Sequence, residues 1–239
     1  MKLHVLYYGF HGRPDFGALG WGTVSLLETD DGPVLIDAGG PSQRSTFAQR
    51  LRDLGYEPAD IKTLLLSHMH WDHVYNMDLV PNAELVLSRE EYAYGQTGTA
   101  LDIHPHDFAA LQRRKYRLFS DGDEVIPGVF AHLTPGHTPG CASFAFTDDT
   151  GARIVVAADA LKNRAEISCG VMQTVDRAAS EASIRKILTL GDHILPGHDG
   201  WIDMVDGKPV ARGGNDVRYL APLNMTINGA KELILHMDM

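Results

Sequence analysis

Hydrophobic and polar positions alternate from the start of the chain. Leu3, Val5 and Tyr7 fall on one side and Lys2 and His4 on the other, the period-two signature of a half-buried strand. Residues 24–29 and 34–37 carry two more strand runs, joined by Asp30-Asp31-Gly32, which has the composition of a hairpin turn. Between the first strand and this hairpin, residues 9–22 are glycine-rich and hold Pro14, Phe16 and Trp21, which predicts a long binding-type loop. The period then lengthens: Phe47, Leu51 and Leu54 recur at i, i+4 and i+7, predicting a helix over 42–54 that stops at Gly55. Residues 64–66 read as a buried strand, 76–80 as a short helix and 84–87 as another strand. From 92 to 117 the pattern weakens to something mixed and partly helical, with the basic run 113–117 expected on a solvated helix face.

Strands resume at 129–133, 142–146 and 153–157. An amphipathic helix follows over 179–190, with Ile184, Ile187 and Leu188 on one stripe and Glu181–Arg185 as an i, i+4 pair. Residues 193–196 form a last strand. Strands and helices thus alternate in two rounds, each ending in a histidine-bearing loop, the order of a layered α/β sandwich with its loops at one edge. Leu220, Leu223, Ile227, Leu233 and Leu235 predict that 201–239 packs as an extension on the core of a single domain, 1–239.

Composition narrows the function classes. With 239 residues and 44% hydrophobic content the chain can bury one large core, and 22% well-mixed charge argues against disorder. A net charge of −10 disfavours nucleic acid and anionic membranes as partners, leaving a small-molecule substrate. Cys141 and Cys169 make no CxxC pair and are expected as buried, inert thiols; with no membrane-length run and no signal-like start, a cytoplasmic protein is expected.

The candidate chemistry is concentrated after the strand at 64–66. His68-Met69-His70-Trp71-Asp72-His73 places four metal-capable side chains within six residues. On an extended backbone 68, 70 and 72 point one way and 73 the other, so two ions suit the cluster better than one. Three later residues each follow an apolar strand into a loop: His137 in Thr134-Pro135-Gly136-His137-Thr138-Pro139-Gly140, Asp159 after Ala157-Ala158, and His198 after Leu195-Pro196-Gly197. His104 and His106 are expected in solvent, and His4, His11, His132, His193 and His236 as surface or core residues.

HxHxDH, a histidine in TPGHTPG, an aspartate after a hydrophobic strand and a histidine in LPGH, in that order, resemble the metallo-β-lactamase superfamily across residues 3–200. The resemblance implies a four-layer αββα sandwich. It implies that His68, His70 and His137 hold one metal, that Asp72, His73 and His198 hold a second, and that Asp159 bridges them. Asp37 matches an aspartate that supports the histidine loop from behind. An acidic residue at 70 would resemble flavodiiron oxidoreductases, so His70 points to hydrolysis. Asp159 in place of cysteine resembles the lactonase, thioesterase and nuclease branches. Quorum-quenching lactonases commonly carry tyrosine where this chain has Lys162, and glyoxalase II enzymes carry a longer helical domain than the residues after His198 provide.

Two divalent cations, zinc first and manganese or iron as alternatives, lower the pKa of bound water from 15.7 to about 7, so that hydroxide attacks a carbonyl at neutral pH. The expected activity is therefore binuclear hydrolysis of a small lactone, ester or thioester, with Asp72 and Asp159 at the reacting centre. Trp71, Phe16, Trp21, Lys162 and Arg164 are candidate substrate contacts. A mononuclear iron oxygenase resembling persulfide dioxygenases and a metal-dependent nuclease are the alternatives, and a homodimer is left open.

Overall fold

The computed structural model describes residues 1–12, 15, 17–100, 102–171 and 173–212, and the backbone of 217–220 and 232–235. Phe16, Leu223, Ile227 and His236, and the side chains of Leu220, Leu233 and Leu235, lie outside the described residues.

The N-terminal half contributes β1 (Lys2–Tyr7), β2 (Phe10–Gly12), β3 (Leu19–Trp21), β4 (Val24–Thr29), β5 (Gly32–Ile36), β6 (Thr63–Leu65), β7 (Glu84–Ser88) and β8 (Tyr116–Phe119). Apart from β2 and β3, which pair as their own hairpin, these strands form one sheet in the order β1-β4-β5-β6-β7-β8. The second half contributes β9 (Glu124–Ile126), β10 (Val129–Leu133), β11 (Ala142–Thr147), β12 (Arg153–Ala158), β13 (His193–Pro196), β14 (Ile202–Val205) and β15 (Lys208–Ala211). Their sheet runs β15-β14-β13-β12-β11-β10-β9, and β16 (Val217–Leu220) with β17 (Glu232–Leu235) makes a separate antiparallel ribbon. The helices are α1 (Arg44–Arg52), α2 (Trp71–Val74), α3 (Arg89–Gln96), α4 (Pro105–Gln112), α5 (Ala165–Cys169) and α6 (Arg177–Leu190).

Successive residues of the buried strands serve opposite sides of each sheet, and this sorts the core into three sandwiched layers. Leu64 and Leu66 join Phe47 and Leu51 of α1 and Leu111 of α4, whereas Leu65 between them turns inward. There it meets Val86, Phe144 and Val156 in the core shared by the two sheets. On the far side Val155 and Ala157 pack with Ile184 and Ile187 of α6, and Ile154 and Val156 face inward. Each fully buried leucine or isoleucine contributes about 1.5–3 kcal/mol, so an out-of-register strand forfeits several such terms at once. Helix, sheet, sheet, helix is the resulting stack: a four-layer αββα sandwich.

Several local expectations change. Within 9–22 the chain forms the β2–β3 hairpin rather than an open loop. Phe10 and Trp21 pack with ring centroids 5.1 Å apart, and the indole N–H of Trp21 donates to the Tyr8 carbonyl at 2.9 Å. Glycines hid those strands by diluting the alternation. The segment 92–117 resolves into the end of α3, then α4, then β8, with Gly95 admitting the Phe108 ring: a Cβ there would stand 2.5 Å from it. The basic run is exposed at Arg113, Lys115 and Arg117, but it is not a helix face, since it runs from the C-cap of α4 into β8. Arg114 donates to the carbonyls of Met77, Val80 and Ala83, and Arg117 lies in β8. Cys141 is buried as expected, but Cys169, at the end of α5, is exposed. Residues 202–211 extend the second sheet through β13. Among the described residues no helix is long and apolar enough to cross a membrane.

Candidate metal centre

The two sheets bring their loops to a common edge. Asp37 follows β5, His68 to His73 follow β6, His137 lies between β10 and β11, Asp159 follows β12, and His198 follows β13. Carboxyl ends of strands in α/β sheets are where ligands are usually received. The early cluster is not extended throughout: His70 is the extended N-cap of α2, and a helical turn then carries Asp72 and His73. That turn, rather than strand alternation, sets the directions of Asp72 and His73.

The side chains converge in overlapping triplets, each with one donor atom per residue within 4.8 Å of the others. They are His68, His70 and His137; His68, His73 and Asp159; and Asp72, His73 and His198. The Asp159 carboxylate stands between the sets, its Oδ1 3.1 Å from Nε2 of His73. Its Oδ2 is 3.1 Å from Nε2 of His137 and 3.2 Å from Nε2 of His198. Asp72 Oδ2 lies 3.5 Å from His198, and His70 Nδ1 lies 2.9 Å from His137 Nε2.

The far nitrogen of most of these rings is anchored, which selects the tautomer. His73 Nδ1–H donates to Asp37 Oδ2 at 2.8 Å, His137 Nδ1–H to the Gln173 carbonyl at 3.2 Å, and His198 Nδ1–H to the Phe10 carbonyl at 3.2 Å. Ser67 Oγ–H donates to Asp37 at 2.7 Å, so the same oxygen accepts from His68 Nδ1–H at 3.0 Å. Each of these four rings turns its Nε2 toward the centre. His70 is the exception and presents Nδ1.

Burial drives His68 and His137 well below the ordinary histidine range and lowers His70, which keeps these rings in the neutral form that ligates metals. Burial works against charge on His73 and His198 too, but Asp159 and its neighbouring carboxylates outweigh it and raise both. Burial likewise opposes ionisation of Asp159, yet His198, His73 and His137 hold it well below the usual carboxylate range. Asp37, with φ 56°, and Ala158, with φ 46°, hold left-handed backbone where β5 and β12 end. Strain of that kind persists where packing fixes it, at about 1–3 kcal/mol each.

A cavity of about 420 Å³ opens over the centre, within the range of small-molecule sites. Trp71 and Lys162 line it, together with His70, Asp72, His137, Asp159 and His198. Trp21 and Arg164 do not: Trp21 packs on Phe10, and Arg164 forms a two-pronged pair with Asp199 at 2.9 Å. His11, Tyr94, Asp102, Gln173 and Val175 also line the cavity, without any motif to announce them. The His11 ring lies 5.4 Å from that of His198, tilted by 43°, placed there by the hairpin that glycines concealed. Glu91 is a further omission. Fully buried, it accepts the Met69 N–H at 2.9 Å and the Thr138 hydroxyl at 2.6 Å, pinning the first histidine loop to the His137 loop. No sequence motif marks it.

Comparison with known proteins agrees with this geometry. Residues 20–198 match the family model of the metallo-β-lactamase superfamily. Metallo-β-lactamase domain-containing protein 1 of Xenopus laevis is 32% identical over 203 residues, covering 82% of this chain and 79% of the frog protein. An N-acyl homoserine lactonase of a Bacillus species is 29% identical over 161 residues, 56% of this chain, which spans 62% of the lactonase's length. The fold superposes on a metallo-β-lactamase structure from Thermotoga maritima with TM-score 0.70 and 21% identity, covering 84% of this chain and 98% of that one. A motif series that closes into one centre, a family match over most of the length and a shared four-layer fold lead to one assignment: the chain belongs to the metallo-β-lactamase superfamily, whose members bind divalent metal.

Proposed function

We propose that this protein is a binuclear metal-dependent hydrolase that opens a small lactone, ester or thioester. The carrying observation is the position of Asp159, one carboxylate oxygen against His73 and the other against His137 and His198. The residues present suit divalent cations. Nε2 of His68 is buried with no hydrogen-bond partner among the described residues, a condition that coordination relieves. His68, His70 and His137 would hold one cation and Asp72, His73 and His198 the other, with Asp159 shared. All-imidazole and carboxylate donation favours zinc, with manganese or iron compatible.

Bound cations supply a water acidified to a pKa of about 7 and a Lewis acid for the carbonyl oxygen. The chain's own residues do the rest. Asp72, with 15% of its side chain exposed, faces the cavity and is placed to orient the attacking water or accept its proton. Lys162 lies on the cavity wall, its ammonium donating to the Gln173 carbonyl at 3.0 Å and 3.5 Å from Glu166. It presents positive charge to an anionic group of the substrate. Trp71, Tyr94 and Val175 give the wall apolar surface. The lactonase relatives support a lactone as first substrate to try. Seven converging donors exceed the two histidines and one aspartate of a mononuclear iron oxygenase, which favours hydrolysis over that alternative.

The test is removal of metal. Stripping the chain with a chelator is expected to abolish cleavage across a panel of lactones, thioesters and aryl esters, and zinc is expected to restore it, with about two equivalents per chain by elemental analysis. Undiminished cleavage at trace metal content overturns the proposal.

A further inference from the structure

Away from the sheet edge, the described residues contain one more triplet of metal-capable side chains close enough to share an ion. His104, His106 and Asp107 each place a donor atom within 4.8 Å of the others. They open α4, with His104 as its N-cap and Pro105 in its first turn. Sequence predicts both histidines in solvent. His106 is, with 70% of its side chain exposed, and His104 keeps 40%, but Asp107 beside them is only 7% exposed.

The two oxygens of Asp107 each face an imidazole. Oδ1 lies 3.2 Å from Nε2 of His106, and Oδ2 lies 3.6 Å from Nδ1 of His104. Both Oδ2 of Asp107 and Nδ1 of His104 are buried, and neither has a hydrogen-bond partner among the described residues. Two desolvated polar atoms turned toward each other beyond hydrogen-bond range are an unfavourable arrangement unless something sits between them. Ligands on a tetrahedral zinc at 2.0–2.1 Å stand about 3.3 Å from one another, and the two separations bracket that spacing. The site is also held in place. The His104 ring lies parallel to the Trp71 indole, 12° between planes and 6.4 Å between centroids. The Trp71 backbone N–H in turn donates to the Asp102 carbonyl at 3.1 Å.

We propose that His104, His106 and Asp107 form a second, peripheral binding site for a first-row divalent cation, with zinc the best-matched ion. Two imidazoles and one carboxylate leave a coordination position to solvent on the His106 side, as in open rather than closed zinc sites. Trp71 and Asp102 both line the main cavity, so an ion here braces one wall of that cavity through His104.

Equilibrium dialysis of the full chain against a series of buffered free-zinc concentrations, read by elemental analysis, tests the proposal. At saturation the wild type is expected to hold one equivalent more than His106→Ala or Asp107→Asn. The difference is independent of how many ions the main centre holds, so failure of the hydrolase reading cannot imitate or mask it. His106 is exposed, and its truncation leaves the fold intact. Superimposable uptake curves for all three proteins overturn the site. As a second measurement, zinc is expected to protect His106 from diethyl pyrocarbonate in the wild type, scored by mass spectrometry. Equal modification with and without zinc counts against it.

Discussion

Asp37 reaches the metal centre only through other residues, yet it sets the orientation of two rings. Its carboxylate accepts from the Ser67 N–H at 2.8 Å, from the Ser67 hydroxyl at 2.7 Å and from His73 at 2.8 Å. Asn tolerates the same left-handed backbone, so Asp37→Asn keeps the turn while removing the charge and one acceptor oxygen. We expect metal affinity to fall about 10–100-fold, measured by competition with a chromogenic chelator; an unchanged affinity removes Asp37 from the orienting role. Glu91 carries a pH signature. Burial pushes its carboxyl up to about 7 from 4.5, against hydrogen bonds from Thr138, Met69 and Gly140. Between those values the folded chain binds more protons than the unfolded one. The stability Glu91 lends is therefore fully present below pH 4.5 and lost as pH rises through about 7. Relative to Glu91→Gln, which cannot ionise, the wild type should lose about 3 kcal/mol over that window in denaturant titrations. Parallel stability curves refute this. At this scale the motif residues were legible because four ligand-type side chains in six positions have few packing explanations. Glu91 and His11 were not, since only the folded chain brings them to Met69 and His198.

Elements position the ligands by ending where they do, and small residues at those ends decide whether loops can meet. Gly197, between β13 and His198, would place a Cβ 2.0 Å from Oδ1 of Asp159. Gly197→Ala should therefore displace the shared carboxylate and lower bound metal and turnover together, although Gly197 is no ligand; such overpacking costs typically about 1–3 kcal/mol. Elemental analysis beside circular dichroism checks it, and a variant with normal metal content contradicts the crowding argument. Buried strands were readable as elements because the sandwich covers both of their faces, which turns Leu64-Leu65-Leu66 and Val155-Val156-Ala157 into unbroken apolar runs. The 92–117 region was not readable. Gly95 serves Phe108 rather than the helix, and Arg114 spends its guanidinium on distant carbonyls, so neither residue advertises its local state.

Across the whole molecule the donors come from two separate sheets. The first sheet's loops carry His68, His70, Asp72 and His73, and the second sheet's loops carry His137, Asp159 and His198. Joining them falls to the shared apolar core and to a few polar ties at the same edge. There the Ala142 N–H donates to Ser67 O at 3.0 Å, and the Thr23 hydroxyl donates to Pro196 O at 2.8 Å. Ions held by ligands from both halves would add a linkage that the unfolded chain lacks, so bound metal is expected to stabilise the fold by mass action. At free metal a hundredfold above the dissociation constant, each independent site contributes about 2.7 kcal/mol. Phe144→Ala, which empties the inter-sheet core opposite Phe119, should cost about 3–5 kcal/mol. Because that site lies in the apolar layer away from the donors, the metal increment should survive the substitution. Thermal unfolding of both proteins with saturating zinc and with chelator decides it. The expected pattern is two parallel shifts: a lower midpoint for the variant in either buffer, and a higher midpoint with zinc in either protein. A midpoint indifferent to zinc in the wild type means that the two halves are aligned by packing alone and that the converging donors hold no ion.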